Sequence, residues 1–290
     1  MLPLLASGAD RYVRLQRPTV ERYYRDLGTT WIYARPDEMA QVERMTTGLE
    51  GVRVLSDLEL VPELKLARAV KRDVTRSWYQ QQLIKLAAVA KAETPFVLIL
   101  DADVIAVREV GDDDMLPGGR AMHHREPVSA HPGWVRCSAE ALRMEPLDYC
   151  ASATPSVLAR GAVHELAEFA RREIRPRKGI VSAASITPGL RRHLTTWQGR
   201  LLGALPWTEY QLYETFLVRT GRYDAYHCYS DDPLMFDNCV WRASEFDAWD
   251  PRPDDHGPVH YFSVVQESAG TPVDAIEEKL QRAGMLRARD

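Results

Sequence analysis

Two aspartates, Asp101 and Asp103, stand one residue apart directly after an apolar run at residues 96–100. Carboxylates this close repel each other in an apolar setting unless a cation or a proton lies between them. A hard divalent ion such as Mn²⁺ or Mg²⁺ meets that need, and it also bridges the oxygens of a diphosphate. The alternative is a pair of turn aspartates that cap a strand end, and so short a motif leaves both interpretations open.

A lysine and a glutamine precede this motif on a segment with the spacing of a helix. Lys85 lies sixteen residues before Asp101, and Gln81 lies one turn earlier on the same helix face. A helix that runs antiparallel to the following strand would place Lys85 toward the strand end where Asp101 emerges. The alternative for Lys85 is a solvated surface lysine.

The elements that must position these side chains alternate between strand and helix. β-Branched and apolar runs predict strands at residues 2–6, 30–34, 51–55 and 96–100. Helical periodicity predicts helices at 18–27 and 37–45, and from residue 77 to a stop at Thr94-Pro95. This order predicts a mostly parallel, doubly wound α/β sheet flanked by helices. In such sheets ligands bind beyond the carboxyl ends of the strands, which is where Asp101 would lie.

The second half of the chain is less regular. It predicts helices at residues 163–174, 209–220 and 271–288 and a last strand at 260–265. No internal repeat or low-complexity linker marks a boundary, so we expect one domain spanning residues 1–290.

Composition excludes several classes of protein. The chain has 290 residues, of which 45% are hydrophobic and 27% charged, as in a globular protein. A net charge of −4 and a pI near 6.1 give no reason to expect a nucleic-acid partner. No apolar run is long enough for a transmembrane segment. The four cysteines lack zinc-site spacing and are expected to be reduced, so a cytoplasmic location is predicted.

Two stretches together resemble a known family: residues 78–86 (WYQQQLIKL) and 96–104 (FVLILDADV). They look like an uncharacterised group of bacterial glycosyltransferase-like proteins with a GT-A fold, and more remotely like the glycogenin-like retaining transferases. The resemblance implies a GT-A-like, Rossmann-like fold with a smaller acceptor-side region. The resemblance implies that residues 1–110 form a nucleotide-binding half and that residues 111–265 form a donor-sugar and acceptor half. Residues 266–290 would form a C-terminal helix.

The resemblance also implies site residues. Lys85 would contact the donor phosphates, and Asp101 and Asp103 would bind Mn²⁺ or Mg²⁺ together with the diphosphate. His260 matches a late histidine that completes the metal site, and Glu209 matches an acidic residue beside the anomeric carbon. The predicted catalytic residues are Glu209 and Lys85. The predicted donor-binding residues are Ala6, Ser7, Gly8, Tyr33, Gln81, Lys85, Asp101, Ala102 and Asp103.

Some of these residues have simpler interpretations. Glu209 opens a helix whose N-terminal dipole it stabilises, with Thr208 as its cap. His260 sits in an apolar strand where a histidine is usually packed and hydrogen-bonded, and His256 competes for its role. Residues 149–158 match the strand that lines the donor-sugar pocket, although the family's usual glycine and asparagine are missing there.

The leading hypothesis is a metal-dependent glycosyltransferase that uses a nucleotide-diphosphate sugar, with a UDP-sugar favoured. Its acceptor would be a saccharide, a lipid or a natural product. A haloacid-dehalogenase-type phosphatase and a non-catalytic nucleotide-sugar-binding domain are the alternatives. Sugar faces could stack on Trp134, Trp197 or Trp207, with core packing as the simpler role of each. An acceptor or a phosphate could bind the cluster of His123, His124, Arg125, Glu126 and His131, with solvation as its simpler role.

Overall fold

A computed structural model describes most of the chain, namely residues 2–3, 6–70, 77–151, 154–176, 191–229, 238–252 and 260–287. Its strands are β1 Leu2–Pro3, β2 Thr30–Ala34, β3 Val52–Ser56, β4 Phe96–Ile99, β5 Val104–Ala106, β6 Ala121–His123, β7 Glu126–Pro127, β8 Tyr149–Cys150, β9 Ser156–Ala159, β10 His227–Tyr229 and β11 Phe262–Val264.

The α-helices surround these strands. They are α1 Ala9–Arg11, α2 Arg17–Tyr23, α3 Met39–Thr46, α4 Asp57–Leu60, α5 Leu64–Val70, α6 Ser77–Lys91, α7 Asp112–Met115, α8 Pro132–Leu142, α9 Arg160–Glu173, α10 Trp197–Ala204, α11 Glu209–Arg219, α12 Tyr223–Tyr226 and α13 Val273–Arg282. A π-helical turn, Tyr12–Gln16, joins α1 to α2 without a break. Short 3₁₀ turns lie at Ala6–Gly8 and Glu267–Ala269.

The N-terminal third has the alternating architecture that the sequence predicts. β1, β2 and β3 form a parallel sheet in that order, with Thr30 opposite Val52 and Ala34 opposite Ser56. Four of the five residues of β2 are β-branched or aromatic, and such residues suit a pleated and partly buried surface. The predicted helix at 18–27 begins earlier, at residue 9, because the π-helical turn continues it toward the N-terminus.

The α/β class is confirmed, but the strand pairing after β3 is mixed rather than mostly parallel. β4 pairs with β9, β5 with β11 and β7 with β8, all antiparallel, while β6 and β10 are parallel. A continuous apolar run such as that of β4 is typical of a strand buried on both faces, yet Phe96, Val97 and Leu98 are only half-buried. Apolar periodicity identifies a strand but carries no information about the direction of its partner.

Helix α6 lies at the centre of the largest apolar cluster. Leu83, Leu86 and Ala87 form a buried apolar stripe on this helix, with Tyr79 and Ala90 packed at its margin. Helices α9, α10 and α11 contribute further buried side chains to the same cluster. Because the apolar face of α6 packs inward, a second face with polar residues is left to face the cavity described below.

Strand β11 brings the C-terminal region next to the two aspartates. Phe262 lies opposite Ala106 and Val264 opposite Val104, and the Val265 N–H donates to the Asp103 carbonyl at 3.0 Å. The residues that follow β11 therefore reach the Asp101–Asp103 segment.

Some predicted features lie outside the described residues. These are His256, Ser152 and Ala153 of the 149–158 segment, and residue 288 of the last predicted helix. In the part of the chain that the structure describes, no helix is long and apolar enough to cross a membrane.

A core substitution tests the β5–β11 pairing. Phe262 is 0% exposed and packs in the cluster that includes Val104 and Ala106. We expect Phe262→Ala to lower the free energy of unfolding by about 3–5 kcal/mol, because a large buried ring leaves a cavity. Urea denaturation measures this, with the exposed Arg282→Ala as the control. A loss below about 1 kcal/mol would contradict the packing described.

Candidate active site

A cavity of about 560 Å³ opens where the first half of α6, the segment after β4 and the start of α11 meet. The turn after β11 closes another side of it, through Gln266, Glu267 and Ser268. Seven of the predicted site residues line this cavity: Gly8, Gln81, Lys85, Asp101, Ala102, Asp103 and Glu209.

One face of α6 supplies four of the lining side chains, Trp78, Gln81, Gln82 and Lys85. Their spacing of three, four and seven residues places them in a row on a single helix face. The sequence prediction included Gln81 and Lys85 but gave no role to Trp78 and Gln82. The helical spacing of these residues was the signal that could have identified them.

At the centre of the site, a buried lysine joins two carboxylates. Lys85 is 2% exposed, and its Nζ donates to Glu209 Oε1 at 2.7 Å and to the Asp101 carboxylate at 2.9 Å. Burial lowers the pKa of Lys85, but the charges of Asp101 and Glu209 outweigh burial and raise it well above its usual value. Burial raises the pKa of Glu209, against the effect of Lys85. The 2.7 Å contact favours an ammonium–carboxylate ion pair. Lys85 is therefore not a solvated surface lysine.

Glu209 begins α11 in a way that differs from the predicted cap. The Thr208 side chain makes no capping hydrogen bond, and its Oγ1 is buried without a partner. Instead the Glu209 N–H donates to the Gln82 side-chain oxygen at 3.3 Å. Gln82 is itself buried and donates to the Trp78 carbonyl. Helix α6 thus positions both the backbone and the carboxylate of Glu209.

One carboxylate oxygen of Asp103 accepts a hydrogen bond, and the other has no hydrogen-bond partner. Oδ2 accepts from the Glu267 N–H at 3.3 Å, whereas Oδ1 is buried and has no hydrogen bond. Burial and the nearby charge of Asp101 raise the pKa of Asp103 to about 6. An orphaned carboxylate oxygen beside a second carboxylate is a chemical arrangement that fits a hard divalent cation.

Within the described ranges, no group of three His, Cys, Asp or Glu side chains could hold a metal ion. If a cation binds, Asp101 and Asp103 are the carboxylates that could hold it, and its other positions would be open to water or ligand oxygens. Mg²⁺ is commonly bound in this way, by one or two carboxylates together with phosphate oxygens.

The structure does not bring His260, which was predicted to complete a metal site, to the two aspartates. The antiparallel register places Val264 and Val265 beside Asp103, so His260 lies at the other end of the strand pair. His260 is buried and does not line the cavity. Gln266 and Glu267 are the residues that follow β11 into the cavity. The alternation of apolar residues predicted the strand but not its register.

Three predicted donor-binding residues also lie away from the cavity lining. Tyr33 is buried in the apolar cluster around α6 and lines a different cavity, of about 440 Å³. Ala6 and Ser7 lie in the same 3₁₀ turn as Gly8, but of the three only Gly8 lines the cavity that contains Asp101.

The sequence reasoning missed Gln16, which fixes the backbone of the aspartate segment. Gln16 is buried at the end of the π-helical turn, and its amide donates to the carbonyls of Asp101 and Val104. Thr19, on the same helix, accepts from the Ala106 N–H at 3.3 Å. No pattern in the sequence indicates a π-helical turn, so this support could be found only in the structure.

The other candidate acceptor residues divide into two groups. Trp197 and Trp207 belong to the apolar core, and His123 pairs with Glu214 at 3.0 Å in a buried cluster. Trp134, His131 and Glu126 line the cavity, as does Thr154 from the predicted 149–158 segment.

Comparison with solved structures shows the fold class. Galactosyltransferase LgtC, solved in complex with donor and acceptor sugar analogs, matches with a TM-score of 0.50 and 12% identity over 100% of this chain and 96% of that chain. Mouse xyloside xylosyltransferase 1, in its apo form, matches with a TM-score of 0.46 and 11% identity over 94% of this chain and 100% of that one. At such identities the LgtC match shows the fold alone, which is of the GT-A type.

The family follows from the sequence match. Residues 9–285 match the family described as a family of unknown function (DUF6492), and the chain belongs to that family. A comparison with curated proteins gave no match.

A charge-removing substitution tests the buried ion pair. Lys85→Met leaves the Glu209 carboxylate buried without a counter-charge, so we expect a loss of about 3–5 kcal/mol in the free energy of unfolding. The double variant Lys85→Met/Glu209→Gln removes both charges and should recover part of that loss. Urea denaturation measures both variants, with the exposed Lys91→Met on the same helix as the control. If Lys85→Met matched Lys91→Met, the buried pair would be refuted.

The raised pKa of Asp103 makes a second prediction. A carboxyl whose pKa rises from 3.8 to about 6 on folding contributes most stability when protonated and loses that contribution as pH rises through 6. Without divalent ions near pH 7.5, Asp103→Asn should therefore raise the melting temperature by roughly 2–4 °C, and the difference should fade near pH 4. Thermal melts in chelator test this, with the exposed Asp113→Asn as the control. An unchanged or lower melting temperature would contradict it.

Proposed function

We propose that this chain is a metal-dependent glycosyltransferase that transfers a sugar from a nucleotide-diphosphate sugar to an acceptor. A UDP-sugar is the favoured donor, and Mn²⁺ or Mg²⁺ is the cation. The observation that carries the proposal is the pair Asp101 and Asp103 in the cavity of a GT-A fold, with a buried Asp103 oxygen that has no partner.

The charge of the cavity supports a requirement for a cation. Among its described lining residues are five carboxylates and one ammonium, that of Lys85. The Lys85 charge is already balanced by Asp101 and Glu209. A nucleotide diphosphate would meet net negative charge here, and the repulsion would oppose binding unless a cation neutralised part of it.

Each side chain then has a defined role. Asp101 and Asp103 would hold the cation, which supplies charge neutralisation to the diphosphate leaving group. Lys85 orients Asp101 and Glu209 and adds a fixed positive charge beside them. The buried Glu209 carboxylate provides negative charge that would stabilise positive charge developing at the anomeric carbon. Gln82 holds Glu209 at its backbone.

Calorimetry tests the nucleotide and metal requirement. We expect one of UDP, GDP and ADP to bind in the presence of Mn²⁺, at least tenfold more weakly in its absence, and at least tenfold more weakly to Asp103→Asn. Asp113→Asn, an exposed aspartate of α7, is the matched control and should bind as the native chain does. If none of the three nucleotides binds with or without Mn²⁺, the transferase proposal is refuted.

Turnover separates an enzyme from a binding domain. Release of nucleotide from the donor sugar, followed in the presence of Mn²⁺, should fall at least a hundredfold in Glu209→Gln while nucleotide affinity changes little. Nucleotide binding by the native chain without any release of nucleotide would favour the non-catalytic alternative.

A further inference from the structure

Three aromatic side chains form one wall of the cavity. The ring of His131 stacks on Trp134, with centroids 3.8 Å apart and planes 13° apart. Trp134 in turn packs against Trp78, with ring centroids 5.5 Å apart. Trp78 is 39% exposed, an unusual exposure for an indole at the edge of a core helix. A fourth aromatic side chain, Trp241, lines the same cavity and is 45% exposed.

Apart from Tyr210, Gly8 and Ala102, the other described lining residues have polar or charged side chains. Among the described lining residues no Val, Leu, Ile, Met or Phe occurs, and the aliphatic lining is limited to Gly8 and Ala102. A lipid chain requires a continuous aliphatic surface, which the described part of the lining does not provide. Exposed indoles among carboxylates and amides instead suit a ring that has an apolar C–H face and hydroxyl groups at its edge.

The negative charge of the lining further restricts the chemical class of the ligand. Glu126, Glu267 and the central carboxylates line the cavity, so a second anionic ligand beside the diphosphate would be repelled. Burial lowers the pKa of His131, so its imidazole is neutral near pH 7 and can both donate and accept a hydrogen bond. These groups match a neutral hydroxyl-bearing ligand.

The aromatic wall lies apart from the buried cluster of Lys85, Asp101 and Glu209 along α6. Trp78 and Lys85 are seven residues apart on α6, which is about 10 Å along the helix axis. That spacing leaves room for one sugar ring at Lys85 and another at Trp78.

We propose that the aromatic wall formed by Trp78, Trp134 and His131 is the acceptor subsite and that the acceptor is a neutral saccharide. This inference rests on the proposed transferase function, because it assigns the end of the cavity that the donor does not occupy.

Saturation-transfer NMR titrations test the assignment in the presence of UDP and Mn²⁺. The probes are methyl glycosides of glucose, galactose, mannose and N-acetylglucosamine, with methyl glucuronide and octyl phosphate as the anionic and lipid comparisons. We expect at least one neutral glycoside to bind, and to bind more tightly than either comparison. Its Kd should rise at least fivefold in Trp78→Leu and in Trp134→Leu. Trp78→Phe, which keeps an aromatic ring, should recover most of that loss.

Trp31→Leu is the matched control, because Trp31 lines the separate cavity of about 440 Å³. This substitution should leave the glycoside Kd unchanged. Three outcomes overturn the assignment: UDP binds but none of the neutral glycosides does, the Leu variants bind as tightly as the native chain, or octyl phosphate or the glucuronide binds best. Failure of the native chain to bind any nucleotide refutes the transferase proposal itself, and calorimetry reports that result separately.

Discussion

The charge of one buried ammonium group holds the candidate site together. Lys85 on α6 contacts Asp101, which follows β4, and Glu209, which begins α11. An ammonium and a carboxylate removed from water are costly to leave unpaired. The three elements therefore satisfy these charges only when they are assembled, and their assembly fixes the distance between the aspartate pair and Glu209. Catalytic groups held in this way need little reorganisation when a ligand binds.

The cavity has a charged end and an aromatic end, and both are built on α6. Because the apolar stripe of α6 packs in the core, another face of the helix is left to line the cavity. That face presents Trp78, Gln81, Gln82 and Lys85 along one line. A rigid helix sets the spacing between the two ends more firmly than a loop would. The proposed chemistry at one end and the proposed recognition at the other would therefore be geometrically coupled through the same backbone.

Local pattern was enough to predict part of this arrangement. Helix–strand geometry placed Lys85 near Asp101, since the two belong to consecutive elements. Glu209 is 124 residues from Lys85 in the chain, and only the family resemblance suggested its place. The role predicted for His260 also came only from the family resemblance, and the register of β11 instead brings Val265 and Glu267 to Asp103. Strand direction after β3 and the support from Gln16 depend on long-range contacts that no local pattern encodes.

The π-helical turn at Tyr12–Gln16 joins α1 and α2 into one helix, which donates hydrogen bonds to two separate segments. Before the turn, Arg11 donates to the carbonyls of Val265 and Thr271, and at its end Gln16 donates to those of Asp101 and Val104. Deleting one residue here would rotate one half of the helix by about 100° relative to the other. One of the two sets of carbonyls would then lose its donor. We therefore expect the length of this helix to tolerate less change than the identity of its exposed residues.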